Sequence, residues 1–271
     1  MRLQEKLNLF GSQGKALLAT NFYNFETLSG VLQAAQANKR PIILQLSESS
    51  IHYLGLEMSL AMAKTALKSY GVEGWVHLDH GGSVEIAKKC LDAGFDSVMI
   101  DASEKPFAEN VKITSEVVRY AESYNANVEA ELGYVAKLGQ QQTNQFTQPD
   151  EAKRFVESTG ISALAIAIGS AHGFYKETPK LQLELLSSIH SATDAALVLH
   201  GGSGIPDDQL QQAIARGISK VNLATETKNI FMKTLQKTLA DNEEIDLRKV
   251  FPVATASVAK LIADKLRIVT P

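Results

Sequence analysis

Cys90 is the only cysteine in a chain of 271 residues. A lone thiol closes no internal disulfide, and its place beside Ala87 and Leu91 on one face of a predicted helix makes it a core residue. Long apolar runs are missing too. The longest, such as Ala163 to Ile168, fall far short of the roughly 20 residues that cross a bilayer, and the opening MRLQEKLNLFGSQGK lacks the apolar centre of a signal peptide. Neither sign of charge dominates: 27 Lys and Arg face 30 Asp and Glu, giving a net charge of -3, so there is no basic footprint for nucleic acid. No linker, low-complexity tract or charged tail is visible. These absences predict a cytoplasmic protein that works on neither nucleic acid nor membrane.

What is present is a repeat of small units. The length suits one large domain over 1–271, and hydrophobic residues make up 45% of it. Short runs of Val, Ile, Leu and Ala alternate with longer segments of helical periodicity. Eight strands are expected, at Ala16–Asn21, Pro41–Ser47, Trp75–Asp79, Ser97–Asp101, Asn127–Glu131, Ser162–Ile168, Ala195–His200 and Lys220–Leu223. Between them, Leu210, Ala213 and Ile214 form one helical stripe between Pro206 and Gly217, and Phe107, Val111, Val118 and Ala121 form another. Strand–helix alternation favours a parallel α/β sheet, and a count of eight favours its closure into a (β/α)8 TIM barrel over an open doubly wound sheet.

In such a barrel the C-terminal strand ends share one mouth, so polar residues there invite a chemical reading. Strand three ends in His77-Leu78-Asp79-His80-Gly81, strand four in Asp101, strand five in Glu131, and strand seven in His200-Gly201-Gly202-Ser203-Gly204. The turn after strand six carries Gly169-Ser170-Ala171-His172-Gly173. Of six histidines, four lie at or beside strand C-termini. Any one alone reads as a hydrogen-bonded strand-end residue; their shared rim nominates His80, His172 and His200 as three ligands of zinc with one position open. His77 points back into the barrel as a packed neighbour, and His52 and His190 read as helix or surface residues. Gly201 to Gly204, with Asn222 and Thr225 after strand eight, offer main-chain N–H groups where barrels commonly hold phosphate. The polar stretch Gly139 to Phe146 reads as a mobile loop able to close over a site.

These segments resemble class II fructose-bisphosphate and tagatose-bisphosphate aldolases from about Asn21 to Lys249. The motifs, in family order, are PIILQLSE (Pro41 to Glu48), HLDHG (His77 to Gly81), SVMIDAS (Ser97 to Ser103), VEAELG (Val128 to Gly133), AIAIGSAHG (Ala165 to Gly173) and LHGGSGI (Leu199 to Ile205). By that resemblance Asp79 is the catalytic proton donor and His80, His172 and His200 hold Zn2+. Gly173, Gly201, Gly202, Ser203, Asn222, Leu223, Ala224 and Thr225 bind dihydroxyacetone phosphate, with Asn21 and Ser47 as further substrate contacts. Asp101 and Glu131 match carboxylates near a second or alternative metal position, and Arg248 matches the arginine of the far phosphate. The resemblance also implies a monovalent cation beside the zinc, a small sugar phosphate as substrate, and a homodimer or homotetramer.

Two departures stand out. Asn222-Leu223-Ala224-Thr225-Glu226 is more similar to the Asn-Val-Ala-Thr-Glu of tagatose-bisphosphate enzymes than to the Asp-Thr-Asp of fructose-bisphosphate enzymes. The family follows Glu-Leu-Gly with a glycine-rich loop bearing Glu-Asp, whereas Tyr134 to Gln148 contains no carboxylate. The expected activity is zinc-dependent aldol cleavage of a ketose 1,6-bisphosphate, tagatose or fructose, in which Asp79 takes the C4 hydroxyl proton. A member acting on another phosphorylated ketose, a metal-dependent barrel hydrolase, and a non-catalytic sugar-phosphate binder are the rivals. A Schiff-base mechanism wants a lysine inside the barrel, and the sequence places Lys220 at the N-terminal end of strand eight, the wrong end for it.

Overall fold

The apolar runs become eight parallel strands in a computed structural model that describes residues 1–135, 146–175, 177–240 and 242–270. They are β1 (Leu17–Asn21), β2 (Ile42–Ser47), β3 (Gly74–Gly81), β4 (Ser97–Ile100), β5 (Asn127–Leu132), β6 (Ala163–Ile166), β7 (Ala196–Leu199) and β8 (Ile218–Leu223). Neighbours pair in sequence order and β8 pairs with β1, which closes the barrel. The order is set by handedness: each strand returns through a helix, and crossovers between parallel strands are right-handed. The helices are α1 (Leu3–Ser12), α2 (Phe25–Asn38), α3 (Glu48–Leu54), α4 (Leu56–Tyr70), α5 (Val84–Ala93), α6 (Phe107–Ala121), α7 (Pro149–Thr159), α8 (Leu183–Ala192), α9 (Asp207–Ala215), α10 (Thr225–Ala240) and α11 (Leu247–Val269). None is long and apolar enough to cross a membrane. The expected loop at Gly139 to Phe146 lies outside the described residues except for Phe146.

Alternation along the strands sorts side chains into two layers. Leu18, Leu44, Val76, Leu78, Val98, Ile100, Leu164 and Leu197 join the core under the helices. Their neighbours Leu17, Ala19, Ile43, Trp75, Met99, Ala163, Ala165, Ala196 and Val198 fill the lower barrel. The floor is closed by α1, whose Leu3, Leu7 and Phe10 pack onto that inner set. The sequence reading did not place this helix, although a spacing of four and three residues marks its apolar face. Higher up, the same inward positions become polar: Asn21, Gln45, His77, Asp79, Glu129, Glu131, Lys220 and Asn222 are all buried.

The α6 stripe is rotated from the one expected. Its deepest residues are Asn110, Thr114, Val117 and Ala121, with Phe107, Val111 and Val118 packed beside the core. Asn110 is fully buried because it has work for both ends of its amide: Nδ2 donates to the Glu131 carbonyl at 3.1 Å, and Oδ1 accepts from Thr114 Oγ1 at 3.0 Å. A polar pair inside an apolar stripe thus pins the end of β5. Cys90 is fully buried on α5, as expected.

Candidate active site

At the mouth, strict alternation would send His80 outward, because Asp79 already points in. The register of β3 against β4 shifts between Leu78 and Gly81, and His80 takes a left-handed backbone with φ 51. A bulge of this kind re-aims one side chain, and the left-handed turn costs a non-glycine residue about 1–2 kcal/mol. Both side chains therefore reach the same cleft. Gly81 follows because a Cβ there would meet the Met99 carbonyl at 2.7 Å.

His80, His172 and His200 converge as the sequence predicts. Ring centroids lie 4.8 Å apart for His80 and His172, 4.7 Å for His80 and His200, and 5.7 Å for His172 and His200. With Glu131 they form a group in which one ligand atom from each lies within 4.8 Å of the others. Asp101 stands behind His80, accepting from its Nδ1 at 2.8 Å, and Ser103 holds Asp101 from the main chain and the hydroxyl. Glu129 stands behind His200, accepting from its Nε2 at 2.9 Å.

Those two carboxylates fix the tautomers. An ionised carboxylate only accepts, and both are held well below the usual range: burial works against it, but His80 lowers Asp101 and Lys220 with His200 lowers Glu129. Each histidine has a carboxylate placed to take an N–H from it, and Asn222 Nδ2 also stands 3.1 Å from His200 Nε2. Nε2 of His80 and Nδ1 of His200 then face each other at 2.9 Å, a separation that a proton on Nε2 bridges as a hydrogen bond and that a cation taking both lone pairs would fill in its place. The field agrees. Burial alone would lower His80, yet the Asp101 hydrogen bond and the charges of Asp79 and Glu131 push it up to about 9. His172 is pushed down to about 3 by burial and by its two imidazole neighbours. Burial and the Asp101 charge push Glu131 up to about 8, and its Oε2 is buried with no hydrogen-bond partner.

Three imidazoles and a carboxylate suit zinc or a similar divalent ion. The separation of the facing nitrogens fits as well, being a few tenths of an ångström under the edge of a zinc tetrahedron with bonds of roughly 2.0–2.1 Å. Glu131 belongs among the candidate ligands themselves, whereas Asp101 serves one of them from behind.

Asp79 is 8% exposed. Asn21 Nδ2 donates to its Oδ2 at 2.9 Å and Gln45 Nε2 to its Oδ1 at 3.3 Å. Burial would raise its pKa, but His80, His200 and the Asn21 hydrogen bond outweigh that and hold it below its ordinary value. The cleft beside it is lined by Asn21, Asp79, His80, His172, Gly173, His200, Gly201, Ser203, Asn222, Ala224 and Thr225. It adjoins a chamber of about 700 Å³ bordered by Ser49, Asp101, Lys105 and Lys228.

Four residues expected in the site do not line the cleft. The Ser47 hydroxyl caps α3, accepting from Ser50 N at 3.3 Å. The Gly202 N–H is already given to the Asn222 carbonyl at 3.0 Å, so it has none to offer a phosphate. Leu223 packs into the outer core. Arg248 is turned to solvent with its side chain 89% exposed, because Asp246, which caps α11 two residues earlier, takes its guanidinium at 3.0 and 2.9 Å. Lys220 also departs from expectation: it sits in mid-strand inside the barrel, 1% exposed, but its amino group is bound to Glu129 at 2.6 Å and does not line the cleft. Glu129, Lys220, Gln45 and Asn110 are the residues that the sequence reading missed. The signal for the first three was their inward phase, two residues from a recognised site residue.

Gly201 has φ 67 and a Cβ there would fall 2.2 Å from the Ala171 carbonyl. Gly201→Ala is therefore expected to cost about 1–3 kcal/mol from backbone strain alone and to push the segment carrying His172. Thermal denaturation and bound-metal content check this together; an unchanged melt with full metal would refute it.

Comparison with known proteins shows that the family model "Fructose-bisphosphate aldolase class-II" matches residues 1–270. The fructose-bisphosphate aldolase of Geobacillus stearothermophilus is 41% identical over 254 residues, covering 91% of this chain and 88% of the relative. Among solved structures, the YdjI aldolase of Escherichia coli K12 is 30% identical with a TM-score of 0.88, over 100% of this chain and 97% of that one. A putative fructose-1,6-bisphosphate aldolase of Coccidioides immitis is 28% identical with a TM-score of 0.90, over 99% and 96%.

Proposed function

The chain belongs to the class II fructose-bisphosphate aldolase family, and from that membership we propose that it cleaves a ketose 1,6-bisphosphate reversibly to dihydroxyacetone phosphate and glyceraldehyde 3-phosphate. The observation that carries the reading is the ionised carboxylate of Asp79 lining one cleft with three imidazoles. His80 through Nε2, His200 through Nδ1, and His172 would hold zinc, with Glu131 as the alternative ligand. Bound there, zinc acts as a Lewis acid toward the ketose oxygens.

The rest is the work of the chain. Asn21 and Gln45 aim the Asp79 carboxylate and keep it ionised. As the C3–C4 bond breaks, the C4 hydroxyl proton passes to Asp79, the aldehyde forms at C4, and the bonding pair stays on C3 of the three-carbon half that carries the ketone, where uptake of one proton completes dihydroxyacetone phosphate. In synthesis Asp79 returns that proton to the aldehyde oxygen. Gly173, Gly201, Ser203 and Thr225 line the end of the cleft where the phosphate of dihydroxyacetone phosphate would bind. Thr225 opens the 16-residue helix α10, whose N-terminal N–H groups and dipole favour an anion.

Ala224 lines the cleft, and by the motif resemblance it stands at the position where the Asp-Thr-Asp pattern of fructose-bisphosphate enzymes has its first carboxylate, which favours the tagatose ester. A panel of phosphorylated ketoses assayed with and without zinc tests the whole reading. Triose phosphate is expected from tagatose 1,6-bisphosphate faster than from fructose 1,6-bisphosphate, and from neither after zinc removal. Failure of every ketose bisphosphate would refute the proposal, and equal rates without metal would refute the role of zinc.

A further inference from the structure

Beneath His200 the barrel holds an ion pair that takes no part in the cleavage chemistry above. Glu129 Oε1 accepts from His200 Nε2 at 2.9 Å, while Oε2 accepts from Lys220 Nζ at 2.6 Å. Lys220 also stands 3.3 Å from His77 Nε2, and His77 Nδ1 stands 2.8 Å from Ser97 Oγ. Four strands, β8, β5, β3 and β4, are tied by this one network. Both side chains of the ion pair are 2% exposed. Burying two charges so deeply is costly, and apolar residues of like volume commonly serve stability as well. Filling the barrel does not require them, since Ala163, Ala165, Ala196 and Val198 pack the interior on β6 and β7.

Resting on the metal reading above, we infer that Lys220 and Glu129 are the positioning pair of the metal centre. Lys220 locks the Glu129 carboxylate, and Glu129 locks the ring plane and the Nε2–H tautomer of His200, leaving the Nδ1 lone pair aimed at the ion. Asp101 serves His80 in the same way from the rim, where it is 16% exposed. The Glu129 arm is sealed from water and backed by a full positive charge. Carboxylates placed behind ligating histidines orient them and raise their basicity; here a lysine holds the carboxylate in turn.

The deciding experiment replaces both charges without changing volume, as Lys220→Met with Glu129→Gln. A glutamine amide can offer either oxygen or NH2 to His200, so the tautomer is no longer enforced, and no lone buried charge remains to unfold the barrel. Zinc affinity is read by competition with a chromophoric chelator, and ligand geometry by the absorption bands of the cobalt-loaded protein. The double variant is expected to melt cooperatively, to bind zinc about 10–100-fold more weakly, and to show shifted cobalt bands. Zinc affinity within about twofold of the parent, with the same bands, would overturn the inference and leave the pair a packing element. Should the double variant fail to fold, Glu129→Asp keeps the ion pair but withdraws the carboxylate from His200, and the same weakening is expected, with parental affinity overturning the inference. A parent chain that takes up no divalent metal overturns the metal reading and this inference with it, whereas a parent that binds beside an unaltered variant overturns this inference alone.

Discussion

Asp79→Ala is expected to lose roughly 10²–10⁴-fold in kcat, the usual worth of a placed general acid–base group, while keeping its zinc. The two effects separate because Asp79 is bound by Asn21 and Gln45 and does not belong to the four-residue group that can hold a metal. On the proposed mechanism truncation removes the proton acceptor for the C4 hydroxyl, and it leaves two amide donors without their anion. Some stability goes with it, since a buried donor stripped of its partner costs about 1–3 kcal/mol. Steady-state kinetics on a ketose bisphosphate, with metal content measured on the same sample, checks the prediction. An alanine variant that turns over at the parental rate would remove Asp79 from the chemistry; one that has lost its zinc would make it a ligand.

Removal of the metal is expected to have an effect of comparable size. Lewis-acid catalysis is worth several kcal/mol, and each 1.36 kcal/mol is tenfold in rate, so chelated enzyme should fall by about 10³-fold or more. Added zinc should restore it. His172→Ala and His200→Ala should lower bound zinc, because each removes one of three imidazoles from a group only 4.8 Å across. The same experiment separates this chemistry from the imine route. Lys220 is the barrel-interior lysine among the described residues, and Glu129 holds its amino group at 2.6 Å out of the cleft. Borohydride added with substrate should therefore leave neither a trapped adduct on the protein nor a loss of activity. A reduced lysine adduct, or full activity in chelator, would contradict the metal-dependent reading.

How far the sequence could be read depended on how local each cause was. The strands were legible because apolar runs between glycine and proline signals need only their own residues, and all eight overlap the observed ones. The histidines were legible because they gather at strand C-terminal ends, which share one mouth in a barrel. Motif likeness supplied the role proposed for Asp79. By contrast, α1 went unread at the edge of the chain, and the α6 stripe was off by one position because Asn110 and Thr114 are polar residues doing a buried job. Arg248 was expected at the far phosphate on pattern alone, and the acid two residues before it claims its guanidinium.

The sequence by itself determined the succession of strands and helices, the inward phase of each strand, and which residues end at the mouth, since these follow from periods of a few residues. Tertiary structure alone decided the rest. Whether His80 turns inward depends on a bulge against β4, and its facing of His200 joins residues 120 positions apart. The protonation of those two rings is set by carboxylates on β5 and just past β4, partners that exist only once the barrel has closed. A lone pair is aimed by what lies behind it, and no spacing along a chain records what lies behind.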